Sequence, residues 1–334
     1  MELLEKDLNL IPDMKYIKFE PAGDHTLITT WEGYNSLSQV SIASVIEKEC
    51  IIDNKTLKMM KLLIKGLTKL TINVSAFSFV VKSANGTYTG KKITPERDIS
   101  NTFNFESCKI YPYSSEIIGK AIGFASDNSK ARPVLQGVNI GEKGVVATDS
   151  FKMYVYGAGN SNCDSITVDK KFLNKICKNG FEEIKSDGNQ VCIIDKRGVA
   201  WYSVLLDGKY PEVDRILANK GEELSLDLNA LSIPISLAVS SLEEIKDDIL
   251  ELKGDVLFTC KDKKLTISTD LYRNEVEVES IDFEFSLFAK HAKLINDLEL
   301  KKVFYKDLKS PLFMELTENE IAMFIPLSKK GGSK

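Results

Sequence analysis

The sequence predicts an α+β protein of three repeated domains, each an antiparallel sheet with helices packed on one side. Three observations carry that prediction. Apolar and polar residues alternate over short runs, as half-buried strands require. Helix-period segments are few and short. One pattern, a lysine-bearing helix followed by a strand, a polar turn and another strand, returns three times at roughly 115–120 residues, a domain-sized period.

The three copies run from Asp53 to Thr89, from Asp169 to Tyr210 and from Ala289 to Pro326. Their helices are NKTLKMMKLLIKG, KKFLNKICKNG and KHAKLINDLEL. Their strand pairs lie in LTINVSAFSFVVKSANGTY, VCIIDKRGVAWYSVLLDG and LFMELTENEIAMFIP. The preceding halves echo one another as well: Ile11-Pro12-Asp13-Met14 leads into YIKFEPAGDHTLITT much as Arg132-Pro133-Val134-Leu135 leads into GVNIGEKGVVATD. Alternation is clearest at Thr71–Val74 and Lys264–Ser268. Turn chemistry sits at Asn85-Gly86, Asp187-Gly188 and Asp207-Gly208. Ser115–Phe124 reads as a helix burying Ile118, Ala121 and Ile122, with Ala125 on the same side. LNALSIPISLAVSSL reads as another, which Pro234 is expected to kink or end. Boundaries fall near residues 102 and 218, giving domains 1–102, 103–218 and 219–334, with no Gly/Ser-rich linker between them.

A chain of 334 residues exceeds one ordinary core and suits two or three domains. It has no apolar run long enough for a membrane span, and MELLEKDLNL carries acids where a signal peptide is basic, so no membrane partner and a cytoplasmic site are expected. Cys50, Cys108, Cys163, Cys177, Cys192 and Cys260 are scattered without a C-x-x-C pair, which favours reduced thiols. With His25 and His291 the only histidines, a zinc site is not expected, and no cofactor is.

The net charge of −4 argues against a protein that grips nucleic acid with its whole surface. Lysines nevertheless recur at helical spacing: Lys55, Lys58, Lys61, Lys65 and Lys69, then Lys170, Lys171, Lys175 and Lys178. A solvated face explains any one such stripe; the recurrence in equivalent places points to one cationic surface on an otherwise acidic protein.

Three stretches in order carry a resemblance: FASDNSKARPVLQGVNIGEKGVVATDSFKM (Phe124 to Met153), LLDGKYPEVDRIL (Leu205 to Leu217) and KSPLFMELTENEIAMFIPLSKK (Lys309 to Lys330). Together they resemble the bacterial DNA polymerase III beta subunit, the sliding clamp. The resemblance implies a DNA-clamp fold and a ring, a homodimer of three-domain chains. Such a ring encircles duplex DNA without reading sequence and tethers DNA polymerase and clamp loader by short apolar peptide motifs. It further implies a partner-peptide cleft at Leu135, Thr148, Ser150, Phe151, Lys152, Met153, Pro211, Arg215, Ile216, Pro311, Met323, Ile325, Pro326 and Leu327. In that cleft Met153, Ile216, Met323 and Leu327 line a groove, and Lys152 and Arg215 anchor polar groups at its rim. DNA contacts are implied at Ser129, Lys130 and Arg132, with Lys58, Lys61, Lys120, Lys171, Lys175 and Lys293 as channel candidates.

The chain departs from the clamp pattern in four places. Only MELLEKDLN precedes Ile11-Pro12, so the usual first helix is expected to be shortened or lost. The first helix of the third domain contains Pro234, which is expected to kink or end it. Lys152 replaces an arginine and with it the forked hydrogen bonding. Lys329–Lys334 extends past the usual end as an expected disordered tail. A chain so altered is also read as a clamp-like peptide-binding adaptor or decoy that does not encircle DNA.

Enzyme readings fail on missing partners. Ser126-Asp127-Asn128 has no S-x-x-K companion. Gly157-Ala158-Gly159 lacks a third glycine, and no Walker A sequence occurs. The pairs Glu243-Glu244 and Asp247-Asp248 read as a solvated face, so the chain is not read as an enzyme.

Overall fold

A computed structural model describes residues 1–33, 35–95, 101–158, 165–226, 228–246, 249–252, 254–307 and 309–327. Cys163, Gly159, the Asp247-Asp248 pair and Lys329–Lys334 lie outside the described residues. The chain forms two compact units, Met1–Glu116 with Lys171–Leu205, and Ile117–Lys170 with Leu206–Lys334.

In the first unit an eight-stranded antiparallel sheet has the order Cys50–Asp53, Tyr16–Ala22, His25–Trp31, Ser36–Ile42, Ala200–Val204, Gln190–Ile194, Ile184–Ser186, Lys109–Tyr111. Its midline is the pairing of Trp201 with Ser38 and Tyr202 with Leu37. Strands far apart in the chain are therefore zipped into one sheet. Trp31, Leu37, Ile51, Phe103, Cys192 and Tyr202 close over the join as a core cluster. A second sheet of four strands has the order Glu2–Leu4, Lys69–Val74, Ser78–Ser83, Gly86–Lys91.

The helix Asn54–Ile64 forms where the sequence places it. Asp53 caps it by accepting the Thr56 amide at 2.8 Å, Leu57, Met60 and Ile64 bury one stripe, and left-handed Gly66 (φ +75°) follows its end. Lys55, Lys58 and Lys65 stay exposed on the opposite face. The expected first helix is present but short, Glu5–Leu10, held through buried Leu8 and preceded by the small strand Glu2–Leu4.

The second unit repeats the construction. Its eight-stranded sheet has the order Ile166–Asp169, Gly137–Ile140, Gly144–Thr148, Lys152–Gly157, Glu320–Phe324, Leu312–Thr317, Lys302–Tyr305, Glu222–Leu224. A four-stranded sheet runs Arg273–Glu277, Lys264–Ser268, Asp255–Lys261, Phe283–Phe288, and Glu243–Lys246 pairs with Ile249–Leu252. The helices Leu228–Ser240 and Ala289–Asn296 pack against each other.

Two expectations are narrowed. Pro234 lies inside the helix Leu228–Ser240 and does not end it. The missing amide costs one hydrogen bond, whereas Leu231, Ile235, Ala238 and Val239 are buried along that helix, each large apolar one contributing about 1.5–3 kcal/mol. Asp207-Gly208 makes no hairpin; it lies in the irregular stretch between Ala200–Val204 and the short helix Asp214–Leu217. Asn85-Gly86 and Asp187-Gly188 do sit at hairpin turns. The described cysteines, Cys50, Cys108, Cys177, Cys192 and Cys260, are free thiols. No helix among the described residues is long and apolar enough to cross a membrane.

Candidate functional site

All of the expected cleft residues fall in the second unit. The ladder between Lys152–Gly157 and Glu320–Phe324 sets Lys152 opposite Phe324 and Met153 opposite Met323. Beyond the strand ends the pairing continues: the Ile325 amide donates to the Phe151 carbonyl, and the Leu327 amide to the Ser286 carbonyl, both at 2.8 Å. Residues more than 170 positions apart thus share one small region.

The floor is a core cluster that includes Leu135, Val146, Met153, Tyr210, Phe313 and Met323, with Ile216 packed against it half-buried. Leu135 comes from the 3-10 helix Pro133–Gln136. Met153 and Met323, expected to line the groove, are 1% and 3% exposed and lie below its surface. The apolar groups that reach solvent are Phe151 at 53% and Ile325 at 37%, with Pro211, Ile216, Pro311 and Leu327 half-buried and Pro326 buried. Arg215 is exposed beside Ile216.

The turn Thr148 to Lys152 is tied by its own side chains. The Thr148 amide donates to the Tyr210 hydroxyl at 2.9 Å, and the Thr148 hydroxyl donates to the Lys152 carbonyl at 2.8 Å. One Asp149 oxygen accepts the amides of Phe151 and Lys152, both at 2.9 Å. Ser150 takes the left-handed conformation (φ +78°), which projects Phe151 outward.

Lys152 is not at the rim. Its ammonium donates to the Gly123 carbonyl, lies 3.8 Å from Asp149 and sits 5.7 Å over the Phe124 ring. Burial lowers its pKa, opposed by Asp149 and aided by Lys170 and Lys290. The inward turn follows from geometry: Lys152 is paired inside the ladder, and its long stem reaches a carbonyl across the buried face.

Sequence reasoning missed an aromatic relay beneath Phe151. Phe151 meets Phe288 edge-on at 6.3 Å, Phe288 meets His291 edge-on at 5.4 Å, and His291 lies 5.7 Å from Phe324. His291 is 1% exposed, and neither ring nitrogen has a hydrogen-bond partner among the described residues. Burial, chiefly, pushes its pKa down to about 4, with Lys152 and Lys290 acting in the same direction and Asp149 against them. Its rarity in the chain was the one available signal.

The expected DNA-contacting residues divide by their partners. Ser129, Lys130 and Arg132 are exposed on one loop, and Lys58 and Lys171 are exposed on their helices. Lys61 donates to Asp13 at 2.9 Å, Lys175 pairs with Glu32 at 3.2 Å, and Lys293 stands 4.0 Å from Glu243. Lys120 donates to both oxygens of Glu320 at 3.1 Å, and the Tyr154 hydroxyl donates to one of them at 2.9 Å. Exposed pairs of this kind exchange partners at little cost. Glu320 is buried, so Lys120 is committed to it.

No protein-family model and no curated protein sequence matches the chain. Solved structures match along its length. A protein from Eubacterium rectale, provisionally named a DNA polymerase III beta subunit, superimposes with a TM-score of 0.80 at 14% identity, over 98% of each chain. The beta subunit of DNA polymerase from Streptococcus pyogenes gives 0.76 at 16% identity, over 98% of this chain and 99% of that one. The DNA polymerase sliding clamp of Pseudomonas aeruginosa gives 0.77 at 14% identity, over 98% and 99%. The class defined is therefore an α+β fold of paired antiparallel sheets and few helices. In particular, it is the fold of the DNA polymerase III beta subunits, the sliding clamps.

Proposed function

We propose that this chain is a DNA polymerase processivity factor, a sliding clamp. In this reading the domains are 1–102, 103–218 and 219–334, and two copies close into a ring around duplex DNA. Polymerase and clamp loader dock a short apolar peptide on the Phe151, Ile216, Ile325 and Leu327 surface. The observation that supports the reading is that the fourteen expected cleft residues fall in one unit, where the Met153–Met323 register sets two of their segments side by side and Phe151 and Ile325 stay exposed. Grip on DNA is electrostatic and sequence-independent, as sliding requires. Enclosure, rather than affinity, keeps the ring on DNA, so a net charge of −4 is compatible with it.

Ring closure needs a second copy against exposed sheet edges. The strand Gly86–Lys91 ends one four-stranded sheet and Arg273–Glu277 ends another, near the exposed side chains Phe77 and Leu271. Unpaired edges of this length invite pairing with another chain. Light scattering after size exclusion at tens of micromolar should give twice the chain mass, and the protein should stay on closed circular DNA while sliding off the linear form. Phe151→Ala with Ile325→Ala should abolish capture of an apolar partner peptide and leave circular-DNA retention intact. Unchanged peptide capture in that variant would place the cleft elsewhere.

The second reading, an adaptor or decoy that does not encircle DNA, is favoured by one observation: Lys61, Lys120, Lys175 and Lys293 each face a carboxylate of their own chain. A monomeric mass together with peptide capture would select it.

A further inference from the structure

Two exposed cations belong to the elements that build the apolar surface around Phe151 and Ile325, and neither is paired with a carboxylate among the described residues. Lys290 is exposed at the start of the helix Ala289–Asn296, with its ammonium 5.7 Å over the Phe288 ring, the ring that meets Phe151 edge-on. Arg132 is exposed at the entry to the 3-10 helix that supplies Leu135 to the floor. Its charge is felt at the Tyr210 hydroxyl, where burial is the larger influence and acts in the opposite direction.

Nearby carboxylates are engaged or offset. Asp149 spends one oxygen on two turn amides and has Lys152 at 3.8 Å. Glu212 is bound by Lys209 at 2.8 Å, and Asp127 by Lys170 at 2.7 Å. Asp214 is exposed but is followed directly by exposed Arg215. On the Phe288 side, the charge of Lys290 acts with burial to disfavour the charge of buried Lys152. What remains is an apolar strip with the exposed cations Lys290 and Arg132 on the elements that build it, a pattern complementary to negative charge on the occupant.

We propose that the segment filling this strip is an apolar peptide flanked by carboxylates, one facing Lys290 and the other Arg132. The proposal rests on the cleft reading above and names the chemistry of its partner. Apolar anchors supply contact area, while the flanking charges set orientation and exclude apolar segments with basic flanks. Exposed ion pairs are individually weak, so the charges select among apolar peptides rather than replace the anchors.

The test compares two synthetic peptides, each with two leucines and a phenylalanine, flanked by glutamates in one and glutamines in the other. Binding to the full chain is followed by fluorescence anisotropy at low and high salt. The glutamate peptide should bind roughly threefold to tenfold tighter at low salt, and the advantage should shrink at high salt. Lys290→Gln with Arg132→Gln should remove that advantage and leave the glutamine peptide unchanged, and Lys290→Arg should preserve it. Equal binding of the two peptides, or an advantage that survives the double variant, overturns the proposal while the cleft reading stands. Binding of neither peptide overturns both.

Discussion

Met153 and Met323 face each other across the antiparallel ladder that fuses Lys152–Gly157 to Glu320–Phe324, and both are buried. This contact makes the floor of the proposed cleft part of the unit's core. Met153→Ala or Met323→Ala should each cost about 2–5 kcal/mol in urea unfolding. Their effects should not add, because the two side chains share one space. The same substitutions are poor probes of peptide binding for that reason, and the solvent-facing Phe151 and Ile325 are better ones.

Lys120 and Glu320 supply the next test. Glu320 keeps only 5% of its side chain exposed and accepts from both Lys120 and Tyr154. Removing the cation by Lys120→Met strands a buried carboxylate and should destabilise by about 3–5 kcal/mol. Lys120→Met with Glu320→Gln should recover most of that loss, since the uncompensated charge is gone. Calorimetric melting of the two variants checks both outcomes. A loss of DNA retention in the double variant at restored stability would instead assign Lys120 a phosphate contact.

Individual elements were legible because their signals are local. The helix Asn54–Ile64 announces itself through Leu57, Met60 and Ile64 at helical spacing, and Lys264–Ser268 through strict alternation. Pairing between distant strands has no such signal. Nothing in Ala200–Val204 or Ser36–Ile42 taken alone says that they are neighbours. Glu2–Leu4 is too short for alternation to register, and its partner Lys69–Val74 is remote in sequence. Lys152 reads as a surface residue because lysines almost always are. Only the fold reveals a carbonyl, Gly123, within its reach. The resemblance supplied the expected members of the proposed cleft, but which of them are buried and which reach solvent was not readable from the sequence.

Ser150 holds a left-handed backbone (φ +78°) that costs a non-glycine residue about 1 kcal/mol. Its amide donates to Thr148 at 3.1 Å, an interaction glycine keeps. Ser150→Gly gives up part of that gain to the freer unfolded chain. A net stabilisation of up to about 1 kcal/mol is expected in urea unfolding. A destabilised variant would mean that the serine side chain contributes to the turn.

His291 gives the pH dependence its direction. Its pKa falls from 6.5 to about 4 on folding, chiefly through burial, so the native state prefers the neutral ring. Stability from this group is therefore complete above pH 6.5 and is lost as pH falls through that value towards 4. The loss is on the order of 3 kcal/mol at most. Protonation places a cation beside Lys152 and Lys290, with Asp149 offsetting it, directly beneath the Phe151–Phe288 contact. His291→Phe keeps an aromatic ring between Phe288 and Phe324 and removes the titration. Stability measured by urea unfolding from pH 7 to pH 4.5 should fall less steeply in His291→Phe than in the parent chain, the gap between the two curves opening below about pH 6.5. Parallel curves would show that the ring is not held neutral by its burial.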